Sequence, residues 1–66
     1  MKNRIAEIRK EQNLSQRALA NIIKIPYQSL QRYEKSAVVP SVDVALRLAR
    51  ALNTTVEELF VLEDED

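Results

Sequence analysis

Sixty-six residues carrying no cysteine, no histidine and no glycine, with ten basic and ten acidic side chains, exclude several classes of function at once. A disulfide framework, a thiolate metal site, an imidazole base and a phosphate-cradling glycine loop are all missing, so neither an enzyme nor a metal or cofactor is expected. No apolar run is long enough to span a bilayer and no signal-peptide pattern opens the chain, which predicts a soluble cytoplasmic protein with no evident small-molecule ligand.

The pattern predicts one small domain over residues 1–66, with a core from about residue 3 to 62 and an acidic tail over 63–66. The first helix is predicted from Lys2 to Gln12, with Ile5 and Ile8 as its inner stripe and Arg9 at the stripe's edge. Asn13 ends it, because asparagine tolerates a left-handed cap. The second runs from Gln16 to Ile23. Ser15 caps it, and Ala18, Leu19, Ala20 and Ile23 form its apolar side, leaving Ile22 off that face.

The third helix starts at Pro26 or Tyr27, where a proline suits the first helical position. At about 100° per residue, Pro26, Leu30 and Tyr33 cluster on one side. Tyr27, Gln28, Gln31, Arg32 and Lys35 cluster on the other, and Glu34 lies on the border. The outer arc therefore carries amides, cations and one aromatic, with no carboxylate. That is what a surface facing phosphates and base edges needs. A helix, a tight turn and a second helix of this kind can place one helix in a DNA major groove.

Pro40 and Ser41 open the fourth helix, with Val42, Ala45, Leu48, Ala49 and Leu52 as its expected inner stripe and Asn53 as its end. Thr55 and Glu58 read as a capping box for a fifth helix from Val56 to about Leu62, with Val56, Leu59 and Phe60 in the core. Charge is divided along the chain. Residues 1–35 hold eight basic and three acidic side chains, and residues 36–66 hold two basic and seven acidic. A dipolar molecule can approach a polyanion with its basic half forward, although the pI of about 6.2 is low for a nucleic-acid binder.

Six stretches, in this order and spacing, carry a family resemblance. They are Arg4-Ile5 through Arg9, Leu14 to Ala20, Leu30 to Glu34, Pro40-Ser41, Leu46 to Leu52 and Glu57 to Phe60. Together they resemble the lambda-repressor-like domain of phage repressors, Cro proteins and xenobiotic-response-element (Xre) type regulators. The resemblance implies an all-α, compact five-helix bundle with a central helix-turn-helix whose third helix, 26–35, enters the major groove. It implies that Gln16 binds a phosphate; Arg17, beside it, is a further DNA-binding candidate. Base-reading positions match Tyr27, Gln28 and Arg32, with Gln31 on the same arc and with Ser29 and Lys35 nearer the backbone. It suggests an ion pair between Arg9 and Glu34 that braces the first helix against the end of the third. The sequence departs from the family where glycine is usual, at Asn13, Lys24, Ser36 and Asn53, and where Ser or Thr is usual, at Pro26. Lys24 and Ser36 take a positive φ less readily than asparagine does.

One module of this size makes a small interface with DNA, about 600–1,000 Å². A homodimer on a palindromic operator is therefore expected, with a role in transcription, most simply as a repressor. Val38, Val39, Val44, Val61 and Leu62 have no assigned core role and are the candidates for the self-contact; the alternative for them is scattered surface apolars and edge packing. The competing function is a protein-interaction module, such as an antitoxin or a bridging coactivator, which would hold its partner through the last two helices.

Overall fold

In the computed structural model, which describes residues 1–63, the chain runs β1 (Lys2–Asn3), α1 (Ile5–Glu11), α2 (Gln16–Ile23), α3 (Tyr27–Glu34), α4 (Val42–Ala51), α5 (Val56–Leu59) and β2 (Phe60–Val61). Three of the helices start on a hydroxyl. Ser15 Oγ accepts from the amide of Ala18 at 3.0 Å, Ser41 Oγ from Val44 at 3.2 Å and Thr55 Oγ1 from Glu58 at 3.1 Å. Each satisfies an amide that the first helical turn leaves free.

The helix ends are equally regular. Asn13, Lys24, Ser36 and Asn53 all have φ between 56° and 62°. In each case the next amide reaches back five residues: Leu14 to Arg9 O, Ile25 to Ala20 O, Ala37 to Arg32 O and Thr54 to Ala49 O. This is the Schellman closure, which satisfies the last carbonyls and turns the chain sharply. Leu14 and Ile25 follow the left-handed residue and pack against the core, which fixes the exit direction. The four positions where the family prefers glycine are thus the four that adopt glycine's conformation.

Ile5, Leu19, Leu30, Leu48, Leu52 and Leu59 are completely buried, and they join all five helices around one core. Each such burial is worth about 1.5–3 kcal/mol. α2 packs against both α3 and α4, and α4 against α5. The arrangement is all-α apart from the small sheet that joins the two ends of the described chain.

That sheet corrects the predicted ends. β1 pairs antiparallel with β2, with Lys2 opposite Val61 and Asn3 opposite Phe60. α1 therefore begins at Ile5 rather than Lys2, its first amide accepted by Asn3 Oδ1 at 3.1 Å. α5 ends at Leu59, so Phe60 packs half-buried from a strand and Leu62 lies beyond it, exposed. Val42 is also corrected. It shares the stripe of Ala45 and Leu48 but is 76 % exposed. Ala18 is half-buried, and Ala20 is the buried alanine of α2. The expected tail lies mostly outside the described residues; Glu63 alone is described, paired with the Met1 amino group at 3.0 Å.

Candidate nucleic-acid interface

The turn between α2 and α3 sets the angle of the two helices. Lys24 sits in the left-handed region, and Pro26 is the extended cap residue one place before the helix, with ψ 142°, so the first helical residue is Tyr27. No side chain caps α3, as expected once proline replaces a hydroxyl. Leu30 anchors α3 in the core, and half-buried Tyr33 packs beside it. The Arg47 guanidinium, held by Asp43 at 2.8 Å, donates to the Ile23 carbonyl at 3.2 Å and so holds the end of α2.

Between Gln12 and Val42 the only acidic residue is Glu34. Its side chain is 6 % exposed and that of Arg9 is 9 % exposed. Arg9 Nε and Nη2 donate to the two carboxylate oxygens at 2.8 and 3.1 Å, and its Nη1 donates to the Leu14 carbonyl at 2.8 Å. Gln16 Nε2 adds a third donor to Glu34 at 2.9 Å. The carboxylate is neutralised and turned inward. Asn3 Nδ2 donates to the Tyr33 carbonyl at 2.9 Å, tying the end of α3 to β1.

What remains outside is positive and polar. Arg17, Lys24, Gln28, Arg32 and Lys35 are exposed, while Gln16, Tyr27, Ser29 and Gln31 are half-buried. Gln16 keeps a second N–H beyond the one given to Glu34. Tyr27 is held from two sides: the Arg17 guanidinium carbon lies 4.2 Å above its ring centroid, and Gln31 Nε2 donates to its hydroxyl at 3.1 Å. Phosphate oxygens and base edges are acceptor-rich, and this surface offers them donors without a competing carboxylate.

The self-contact candidates separate into two groups. Val38, Val39, Val61 and Leu62 are exposed, but Val44 is half-buried against the core, so it has the core role the sequence did not assign. Leu46, which sequence reasoning left aside, is 55 % exposed on α4. Asn3, Gln12 and Arg47 were also missed. Gln12 Nε2 donates to the Leu52 carbonyl at 2.7 Å, joining the end of α1 to the end of α4. Their signal is weak, because polar side chains that bond to distant backbone leave no spacing to read.

A helix-turn-helix with this surface defines a DNA-binding module. The family model described as Helix-turn-helix (HTH_3) matches residues 5–59. The chain is 33 % identical to the uncharacterised HTH-type transcriptional regulator YgzD of Bacillus subtilis, with both chains covered in full. It is 36 % identical to an uncharacterised HTH-type transcriptional regulator of Methanothermobacter thermautotrophicus, over 98 % of this chain and 96 % of that one. A third such regulator, from Archaeoglobus fulgidus, is 32 % identical over 100 % of this chain and 94 % of its own. The chain belongs to the lambda-repressor-like, Xre-type helix-turn-helix family of transcription regulators, a family that binds DNA and is not enzymatic. Among the described residues no helix is long and apolar enough to cross a membrane.

Proposed function

We propose that this regulator binds one double-stranded DNA sequence as a homodimer on a palindromic operator, with α3 in the major groove, and represses by occupying that site. One observation carries the reading. The single acid of the α2–α3 region is buried against Arg9, while Arg17, Gln28, Arg32 and Lys35 project outward. Arg32 is assigned to guanine O6 and N7, and Gln28 or Gln31 to adenine N6 and N7. Tyr27 faces a thymine methyl or a phosphate. Gln16 and Arg17 hold the backbone at the start of α2, and Ser29 and Lys35 lie near it on α3.

The dimer is supported by a separate surface. Val39 and Val42 are 62 % and 76 % exposed and lie with Pro40, Ala45, Val56 and Phe60 around one apolar hollow. A two-fold pair of modules turns one half-site into two, about 10 bp apart or a multiple of that. The test is retention on duplex DNA across a salt series. Retention at low salt that falls linearly on logarithmic axes is the expected result, because bound phosphates release counterions. No retention at low salt overturns the reading and favours a protein partner.

A further inference from the structure

The base of α3 carries a cluster that is built before any DNA arrives. Arg17 stands in the first turn of α2, Tyr27 is the first residue of α3, and Gln31 lies one turn further along. The three are joined by contacts of two kinds. The guanidinium stacks on the ring at 4.2 Å, well within the roughly 6 Å range of a cation–π contact. The Gln31 amide donates to the Tyr27 hydroxyl at 3.1 Å. No acidic side chain among the described residues forms an ion pair with Arg17.

We propose that Arg17, Tyr27 and Gln31 act as one coupled reading unit in which the Tyr27 hydroxyl donates to a hydrogen-bond acceptor on the DNA. This rests on the DNA-binding surface proposed above and adds how one part of it discriminates. A phenol has one hydrogen. Its oxygen already accepts from Gln31, so the remaining polar function of Tyr27 is to give that hydrogen away. In the major groove guanine O6 and N7, adenine N7 and thymine O4 accept, whereas cytosine presents its N4 amino donor there. Cytosine is therefore the base this tyrosine rejects, and a phosphate oxygen is the acceptor if the hydroxyl faces the backbone.

Arg17 and Gln31 supply the rigidity. A stacked guanidinium keeps its N–H edges free at the rim of the ring, where they can meet phosphate. A glutamine pinned by one N–H still offers its carbonyl and its second N–H. Side chains already ordered in the free protein lose less freedom on binding. Removing any one of the three loosens the other two, so their contributions to affinity do not multiply independently.

The experiment uses the full chain and a site selected by it from random duplex DNA. Affinities are measured for the wild type, Tyr27→Phe, Tyr27→Leu, Arg17→Lys, Gln31→Met and the double variant of Arg17→Lys with Tyr27→Leu. Tyr27→Phe keeps the ring and the stack but loses the donor, and is expected to weaken binding about two- to tenfold. A loss confined to one base position marks a base-edge acceptor, and an equal loss on all sequences marks a phosphate; both support the donor. Arg17→Lys keeps the charge and loses the planar stack, for about a two- to fivefold loss in the wild-type background. The same change is expected to cost nothing further beside Tyr27→Leu. Independent, multiplying losses, or a Tyr27→Phe variant that binds like the wild type, overturn the unit while leaving DNA binding intact. A wild-type chain that selects no DNA overturns both. Melting curves show which variants fold, and Tyr27→Phe keeps the test open if Tyr27→Leu does not.

Discussion

Arg9 and Glu34 stand 25 residues apart in sequence and meet through two parallel hydrogen bonds, at 2.8 and 3.1 Å, inside the bundle. The pair fastens α1 to the last turn of α3, and Gln16 shares the carboxylate. It also clears the only acid from the α2–α3 surface. One contact therefore serves both the fold and the electrostatics of the interface.

Breaking one side of this pair leaves a buried charge without its counter-ion, which costs about 3–5 kcal/mol. Arg9→Ala is expected to lose that much in urea denaturation, a large share of what a domain this small has. Replacing both residues, Arg9→Met with Glu34→Leu, is expected to be more stable than either single change. A double variant as unstable as Arg9→Ala would show that the pair does more than neutralise itself.

The left-handed residues give a second prediction. A residue with a side chain at positive φ carries about 1–2 kcal/mol of strain, and glycine's extra freedom in the unfolded chain returns about 0.5–1 kcal/mol of cost. Lys24→Gly is expected to gain up to about 1 kcal/mol in thermal melts, and Ser36→Gly less, because it also removes the hydroxyl that accepts from Asn3 Nδ2 at 3.0 Å. Asn13→Ala and Asn53→Ala are expected to lose about 1 kcal/mol. Glycine variants that melt lower would mean the left-handed turns are not where strain resides.

Acid gives a third. Arg4 hydrogen-bonds Glu7 through Nε and Nη2 at 3.2 Å each, and this guanidinium holds the Glu7 carboxyl below its usual range. A carboxylate whose folded value is depressed stabilises the protein above the ordinary carboxylate range, and the contribution fades as pH falls through the folded value. Wild type is expected to melt slightly above Glu7→Gln at neutral pH and equal to it in strong acid. The gap should shrink in high salt, because both side chains are exposed. A gap that persists in acid would assign it to something other than the ion pair.

Much of this fold was legible in the residues, because its signals are local. Ser15, Ser41 and Thr55 announced the starts of α2, α4 and α5, and Asn13 and Asn53 announced two of the ends. The outward arc of α3 followed from angular position alone, and Arg32, Gln28 and Lys35 do lie on it exposed. The two-residue strands were not legible, since Lys2–Asn3 and Phe60–Val61 are too short to show any alternation. Val42 misled for a related reason. Periodicity gives the face a residue shares, not where the element opposite that face stops. The stack of Arg17 on Tyr27 joins two helices across a turn, and no single-helix pattern reports it.

The role of the surface rests on Arg32 and Gln16 doing different things, and parallel selections from random duplex DNA test this most directly. The wild type is expected to enrich a two-fold symmetric site with half-sites about 10 bp apart. Arg32→Ala should lose about 1–3 kcal/mol of specific affinity and the preference at one position of each half-site. Gln16→Ala should enrich the same site and bind every sequence more weakly. Variants indistinguishable from each other would contradict the split between base reading and phosphate holding, and a wild type that enriches nothing would contradict the assignment of this face to DNA.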